Sequence, residues 1–506
     1  MFKKIKLNAL AGYLNFALSS ILVFVLSPLL VKFLGANIFG IWKSIQKILS
    51  FASIADGRST QALKWIIAND EVNNNIKIKH QAVGSALKVW LYFLPFVILI
   101  VTLLVYNLPL LINGLDSSLH PVIYQAGFIL GANLLLNPLL RIPDAILVGT
   151  NNGYKSTFIQ IFGVAISNLL MLLVSYLGYG LIGLSIVVLI VTLFNALLIF
   201  WICKKNITWF GVQNPTKEQV KKFFKFSFWV FVWSFVMKLI LSTEIILIAY
   251  LISSEMVTNY VFSTYIIQLA ISIALLTGSA TTPSLGKLIG AKEIQKSKFI
   301  VSNVREIITF ISLFFGSLVI LINEDFVSLW MGETFYLGSY SNILIVCIMI
   351  NIAFARIEGQ IQDLSLNIKN KVISGFLIST LSVVLGVIGF HYFEQRIEGV
   401  LLGILIGRIV LNLIFTNMVN KMMKLKNNYL RYVYIIMSLL VLFQFEKLIP
   451  SANSWSIFIL KFTTISMVLI SFYFTIIFSK STKKYILNSL KKYTNFRGLQ
   501  RKSNND

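Results

Sequence analysis

The sequence predicts an all-α polytopic membrane protein of about 14 transmembrane helices, with both termini in the cytoplasm. Of its 506 residues, 57% are hydrophobic and only 12% are charged, whereas a soluble domain has about 25% charged residues. The mean hydropathy is +0.81. The apolar residues are concentrated in segments of about 20 residues, the length that crosses a bilayer. These observations exclude a soluble globular protein, a disordered chain and a disulfide-rich secreted domain.

The predicted spans follow one another along the whole chain, separated by short polar segments. They cover residues 9–31, 38–57, 86–112, 121–148, 156–177, 180–202, 227–252, 257–284, 305–322, 340–362, 372–390, 399–419, 432–449 and 454–478. In the fourth span, Pro138 and Pro143 interrupt the helix and predict a bend.

The positive charges give the predicted orientation. The net charge is +25, and 34 of the 44 Lys and Arg residues lie in segments on one side, against 3 on the other. Because cytoplasmic loops are enriched in Lys and Arg, both termini are expected in the cytoplasm and the number of spans is even. Since these charges lie in short loops between apolar spans, they argue against nucleic acid as a partner. The longest predicted external loop covers residues 323–338.

A weak internal repeat divides the first twelve spans into two sets of six. The turn after the first span, Leu34 to Trp42, and the turn after the seventh, Ile252 to Tyr260, lie 218 residues apart, with an aromatic residue at the same place. Because six is even, the two halves share one orientation and the repeat is parallel. The predicted organisation is an N-terminal six-helix bundle (1–202), a cytoplasmic linker (203–226), a C-terminal six-helix bundle (227–420), two extra transmembrane helices (421–479) and a basic cytoplasmic tail (480–506).

Charged side chains inside the predicted spans share helix faces with other polar residues, which predicts a water-filled cleft between the two halves. A charge at the centre of a bilayer costs about 2.5–3.5 kcal/mol. The cations outnumber the anions, so an anionic substrate is expected, and Arg and Lys both suit phosphate. The candidate substrate-binding residues are Lys43, Lys47, Arg58, Arg141, Lys238, Arg356 and Arg408, against the carboxylates Asp144, Glu244 and Glu358.

For single residues, a structural role is an alternative. Arg141 and Asp144 are three residues apart and could neutralise each other, and Lys43 could extend to the external surface. The sequence has no P-loop, its three His residues are unpaired, and Cys203 and Cys347 are too far apart for a metal site or a disulfide framework. We therefore expect no enzyme activity, no catalytic residue and no metal.

The first two spans resemble those of Wzx-type polysaccharide flippases of the multidrug/oligosaccharidyl-lipid/polysaccharide superfamily. The resemblance rests on Pro28, on the turn Leu34-Gly35-Ala36 followed by Phe39-Gly40-Ile41-Trp42, on the pair Asp56-Gly57, and on the loop from Gly149 to Ser156.

The resemblance implies two six-helix bundles that give alternating access to a cationic cleft, in a bacterial cytoplasmic (inner) membrane. The cargo would be an undecaprenyl-pyrophosphate-linked oligosaccharide, moved to the external leaflet for the synthesis of O-antigen (lipopolysaccharide) or capsule. Partners would be membrane lipids, a polysaccharide polymerase and a chain-length regulator. The cleft cations of the family would correspond to Lys47, Arg58, Lys238 and Arg356. A coupling ion, H⁺ or Na⁺, is implied in place of a cofactor, with Asp144, Glu244 and Glu358 as candidates.

Two other functions stay open at this point. One is a multidrug or small-metabolite exporter on the same fold, although the multidrug branch typically has an acidic cleft for organic cations. The other is a membrane oligosaccharide polymerase or ligase, which needs an external carboxylate or Arg. The obvious positions for such a group are Glu324, Asp325, Glu333 and Arg396.

Overall fold

The computed structural model is helical throughout the part of the chain that it describes, residues 2–54, 59–70, 75–364, 369–426, 430–446, 448–480 and 482–483. The helices are α1 (Phe2–Leu49), α2 (Ser59–Asp70), α3 (Ile76–Leu111), α4 (His120–Leu140), α5 (Ile142–Gly149), α6 (Gly153–Tyr176), α7 (Gly180–Asn206), α8 (Lys217–Leu251), α9 (Ser254–Ser263), α10 (Tyr265–Gly290), α11 (Ile294–Trp330), α12 (Ser339–Asp363), α13 (Lys369–Tyr392), α14 (Ile397–Met423), α15 (Leu430–Glu446) and α16 (Trp455–Ile477). Short 3-10 helices cover Ala52–Ile54, Ser117–Leu119 and Glu333–Phe335.

Eleven helices among the described residues are long and apolar enough to cross a membrane, or twelve if the bent pair of α9 and α10 is one span. The chain is therefore an all-α, multi-pass membrane protein, as predicted. The count of 14 spans and the location of both termini stay predictions.

Helix α1 contains the first predicted span, 9–31, and residues 38–49 of the second, 38–57. Its apolar part, Leu10–Leu49, has 40 residues and would be about 60 Å long at 1.5 Å per residue, twice the thickness of the hydrocarbon core. Gly35 breaks this helix, because its φ of 79° and ψ of 156° are not helical. Such a φ strongly favours glycine. The break lies in the turn that the sequence predicts between residues 31 and 38.

The fourth predicted span is also broken. Helix α4 ends at Leu140 and α5 begins at Ile142, with Arg141 between them. Pro143 occupies the first turn of α5, where its missing N–H group has no helical partner in any case. The interruption of the helix that the two prolines predict is therefore confirmed, whereas a bend at this place stays a prediction.

The predicted external loop over residues 323–338 is wrong in its first half, because α11 continues to Trp330. Asn323 is fully buried, and its amide donates to the carbonyl oxygen of Ser263 at 2.8 Å and to Asn342 Oδ1 at 2.9 Å. Polar residues here mark a hydrogen-bonded helix end and not a solvated loop, since a buried amide requires such partners.

The chain divides into two compact units. Unit 1 comprises Met1–Val261 and Val372–Ile404, and unit 2 comprises Phe262–Lys371 and Leu405–Asp506. Unit 1 has one apolar cluster around Ile45, Val105 and Leu184 and a second around Leu63 and Ile146. The division into bundles at 1–202 and 227–420 stays a prediction.

The two turns that the sequence repeat relates pack directly against each other in unit 1. Thr258 Oγ1 donates to the carbonyl oxygen of Ala36 at 2.7 Å. A methyl group on Gly40 would lie 1.7 Å from the carbonyl oxygen of Ser254, so the two backbones touch. At the offset of 218, Ala36 corresponds to Ser254 and Gly40 to Thr258. The two contacts are therefore equivalent to each other, as in a two-fold, self-complementary interface.

Candidate substrate-binding site

Two predicted lysines lie one turn apart on α1, a helix that packs against α8 within unit 1. Lys43 is half-buried, and its Nζ lies 5.0 Å from the centroid of the Phe39 ring, a cation–π contact. Lys47 interacts electrostatically both with Lys43 and with Glu244 of α8. The side chain of Glu244 is buried, with 3% exposed. This part of α1 and α8 therefore places Lys47 near a buried carboxylate, with Lys43 as the next cation along α1.

Lys238 lies on the same helix as Glu244 and is half-buried. Three residues before Lys238 on α8, the ring of Phe235 meets the ring of Phe51 edge-on, with centroids 6.0 Å apart. This contact comes directly after the end of α1 and fixes α1 against α8 near Lys47. Three of the predicted cations, Lys43, Lys47 and Lys238, therefore lie on two helices that pack against each other. Arg58, which the sequence places at the inner end of the same face, lies outside the described residues.

Asp144 forms an ion pair with a residue that the sequence analysis did not select. Its carboxylate lies 3.5 Å from Lys64 Nζ, accepts from Gln160 Nε2 at 3.5 Å, and is buried. Arg141 is exposed at the break between α4 and α5. Neutralisation between Arg141 and Asp144 was one alternative for these residues, and the structure gives Lys64 that role.

Glu358 also has an unselected partner. Arg305 of α11 donates from Nε and Nη2 to its two carboxylate oxygens at 2.7 and 2.8 Å. Arg305 Nη1 donates to Asn420 Oδ1 at 2.7 Å. This fork-to-fork geometry is the strongest form of a charge-assisted hydrogen bond in proteins, and only 1% of the Glu358 side chain is exposed. Glu358 is thus built into the packing of α11, α12 and α14 in unit 2.

The remaining predicted cations of unit 2 have different surroundings. Arg356 is half-buried and lies two residues before Glu358, so it faces another side of α12. Arg408 of α14 is the largest side chain among the fully buried ones that the structure describes, with 1% exposed.

Two more ion pairs in unit 2, one of them with an exposed carboxylate, involve cations that the sequence analysis did not single out. Lys461 Nζ lies 2.6 Å from Asp325, and Lys371 pairs with Asp363. The positive-inside count assigned Lys371 and Arg305 to cytoplasmic segments. A signal for Arg305 was available, because Val301, Val304 and Ile308 around it repeat at helical spacing and are buried.

Among the candidate residues of unit 1 that the structure describes, cations outnumber carboxylates. Of the two candidate carboxylates, Asp144 is matched by Lys64, and Glu244 lies near Lys47. In a medium of low dielectric constant such an excess attracts an anion.

A family model described as "Polysaccharide biosynthesis protein" matches residues 29–337, more than half of the chain. Comparison with curated protein sequences found no significant match. Among solved structures, the lipid II flippase MurJ in its inward closed conformation matches with a TM-score of 0.66 at 14% identity, covering 92% of this chain and 98% of that one. An inward-facing multidrug resistance transporter of the MATE family, MOP superfamily, matches with a TM-score of 0.65 at 16% identity, covering 81% and 95%.

These two matches cover most of the chain and so show its fold. At identities this low they show the fold alone. The fold neighbours are transporters and flippases. Because the family model matches more than half of the chain, the chain belongs to the polysaccharide biosynthesis protein family, and it has the multi-pass fold of the MOP superfamily.

Proposed function

We propose that the protein is a flippase that moves an undecaprenyl-pyrophosphate-linked oligosaccharide from the cytoplasmic to the external leaflet of a bacterial inner membrane. The observation that carries the proposal is the positive charge of Lys43, Lys47 and Lys238 on the two packed helices α1 and α8, where Lys47 lies near the candidate carboxylate Glu244. A pyrophosphate linked to a lipid carries the matching negative charge into the membrane. The family of polysaccharide biosynthesis proteins supports a glycan as cargo.

The proposed chemistry is binding and release, and no covalent bond changes. Lysine ammonium groups act as compact point charges toward phosphate, so Lys43 and Lys47 hold the pyrophosphate, and Lys238 adds a third charge. Arg141, which is also in unit 1, binds further phosphate or acidic sugar oxygens. Glu244 competes with the cargo for Lys47. When H⁺ or Na⁺ binds Glu244, Lys47 is free for the pyrophosphate, which couples an ion gradient to transport.

The proposal is tested by mass spectrometry of lipid-linked oligosaccharides in a strain that lacks the gene. The strain receives the wild type, the double variant Lys43→Gln with Lys47→Gln, or a control, Lys204→Gln with Lys205→Gln, which removes the same charge from the exposed inner end of α7. The complete repeat unit on undecaprenyl pyrophosphate accumulates with the site variant and does not with the control. If neither the deletion nor the site variant causes accumulation, the cargo is different.

A small-molecule exporter is the second candidate, because the MATE transporter has nearly the same TM-score. It predicts that inverted vesicles take up a cationic dye against a gradient, and that removing Glu244 abolishes this uptake. The flippase proposal predicts no dye uptake above that of vesicles without the protein. The polymerase alternative loses one of its four positions, since Asp325 is buried in an ion pair.

A further inference from the structure

Two helices of unit 1 form a basic pocket away from the site on α1 and α8 that is described above. The pocket has a volume of about 380 Å³ and lies between the first turns of α8 and the N-terminal part of α3. It is lined by Lys88, Tyr92, Lys217, Val220, Lys221 and Phe224.

The walls of this pocket are held in place by contacts on both sides. Phe93 of α3 stacks on Phe224 of α8, with centroids 5.6 Å apart. Thr216 and Gln219 form a capping box, which fixes the first turn of α8. Gln219 also donates to Gln81 of α3 at 2.7 Å. The three lysines are therefore presented by helices whose positions are fixed, although Lys217 and Lys221 themselves are exposed.

The three lysines of the pocket outnumber the nearby carboxylates among the residues that the structure describes. Lys217 and Lys221 are exposed and Lys88 is half-buried, and none of the three forms an ion pair with a described residue. Lys217 and Lys221 are four residues apart on one helix face, where like charges repel. Glu218 is exposed on the same helix, three residues before Lys221, a spacing at which opposite charges attract, but the described residues show no ion pair between the two. Three converging ammonium groups bind a phosphate well, because an anion relieves their repulsion.

The surroundings of the pocket indicate that this phosphate belongs to a lipid. Tyr92 and Phe224 are 61% and 40% exposed, as is typical of aromatic residues at a membrane–water interface. The predicted topology places the pocket at the cytoplasmic surface, where anionic lipids are concentrated. Leu87, next to Lys88, lines an apolar cavity of about 600 Å³ together with Leu139, Leu197 and Phe200. The basic pocket also has apolar walls of its own, Val220 and Phe224, so it matches an amphiphile with a phosphate and an apolar chain better than a free phosphate.

We propose that Lys88, Lys217 and Lys221 form a binding site for the phosphate head group of an anionic phospholipid of the cytoplasmic leaflet. The site is distinct from that of the transported cargo, and the proposal holds whichever substrate the protein carries. A bound lipid here would bridge α3 and the start of α8, the helix that follows the linker between the two repeats.

The test is native mass spectrometry of the purified full-length protein titrated with phosphatidylglycerol, with phosphatidylcholine as the neutral probe. The triple variant K88Q/K217Q/K221Q is compared with K421Q/K424Q/K426Q, which removes three exposed charges from the end of α14 and the residues that follow. We expect the site variant to bind phosphatidylglycerol on the order of 100-fold more weakly, since each lysine near the surface contributes about a factor of five. The control keeps wild-type binding.

A conservative variant separates the loss of charge from a loss of structure. K88R/K217R/K221R retains the charge and is expected to retain the lipid, and the single variant Lys221→Gln, at an exposed position, shows a partial loss. Equal losses in the site and control variants would overturn the proposal, as would equal binding of phosphatidylcholine. Displacement of the lipid by millimolar inorganic phosphate would assign the pocket to a free anion and also overturn it.

Discussion

Replacing Glu358 with Gln tests whether the buried pair with Arg305 has a structural role or takes part in ion coupling. The side chains are 1% and 13% exposed, and both carboxylate oxygens accept from the guanidinium at 2.7 and 2.8 Å. The substitution leaves the guanidinium buried without the matching charge. Removing one partner of such a pair costs about 3–5 kcal/mol. We expect a loss of this size in the free energy of unfolding.

The pair is measured with a double-mutant cycle of Glu358→Gln, Arg305→Gln and the two together. Each single variant leaves one buried charge, whereas the double variant leaves none and retains two amides that can hydrogen-bond. We expect the double variant to be destabilised by less than either single variant, with a coupling energy of about 3 kcal/mol. The assay is the thermal unfolding midpoint of the protein in detergent, with the exposed Glu333→Gln as a control that changes stability by less than about 0.5 kcal/mol.

The transport assay gives the second half of this test. A structural pair predicts that the double variant recovers flippase activity along with stability. The reasoning is refuted if Glu358→Gln is as stable as the wild type and yet inactive, because Glu358 would then be a coupling carboxylate. It is also refuted if the losses of the two single variants simply add in the double variant.

Two further predictions concern packing and the remaining polymerase alternative. Gly40→Ala is expected to destabilise the protein by at least about 2 kcal/mol in the same assay, because its methyl group would overlap the backbone of Ser254. Gly12→Ala, where the methyl group meets no atom within 4 Å, should change stability by no more than about 1 kcal/mol, and equal effects would contradict this account. Asp325→Asn should lower the free energy of unfolding by about 3–5 kcal/mol, because it leaves Lys461 unpaired. Electrophoresis of surface glycans should show chains of normal length. Shortened glycans made by a stable variant would instead support an enzyme.

The sequence predicts the helices well and the charge partners poorly, for physical reasons. A span must be apolar over its whole length, and a break such as Gly35 requires a residue that tolerates positive φ, so both leave a local signal. An ion pair between distant residues leaves no local signal, since Arg305 and Glu358 are 53 residues apart. In the sequence, each of them looks like a charged residue that lines a water-filled cleft. Charge counting also treats a cation near the end of a span as a loop residue. Lys371 is in fact buried.

The repeat contact bears on where the cargo binds. Ala36 with Thr258, and Gly40 with Ser254, are equivalent contacts at an offset of 218 residues, so the backbone here retains the symmetry of a duplicated unit.

The charges do not share that symmetry. At the same offset, Lys43 and Lys47 correspond to Val261 and Tyr265, and Lys238 corresponds to Ser20. The duplicated backbone has therefore received cations at unrelated positions in its two copies. Structural cations that only anchor a repeat would be expected at equivalent positions in both copies, because both copies pack alike. A ligand with one charged end, such as a pyrophosphate between a glycan and an apolar chain, requires charge at one place only. The asymmetry therefore favours a binding role for Lys43, Lys47 and Lys238.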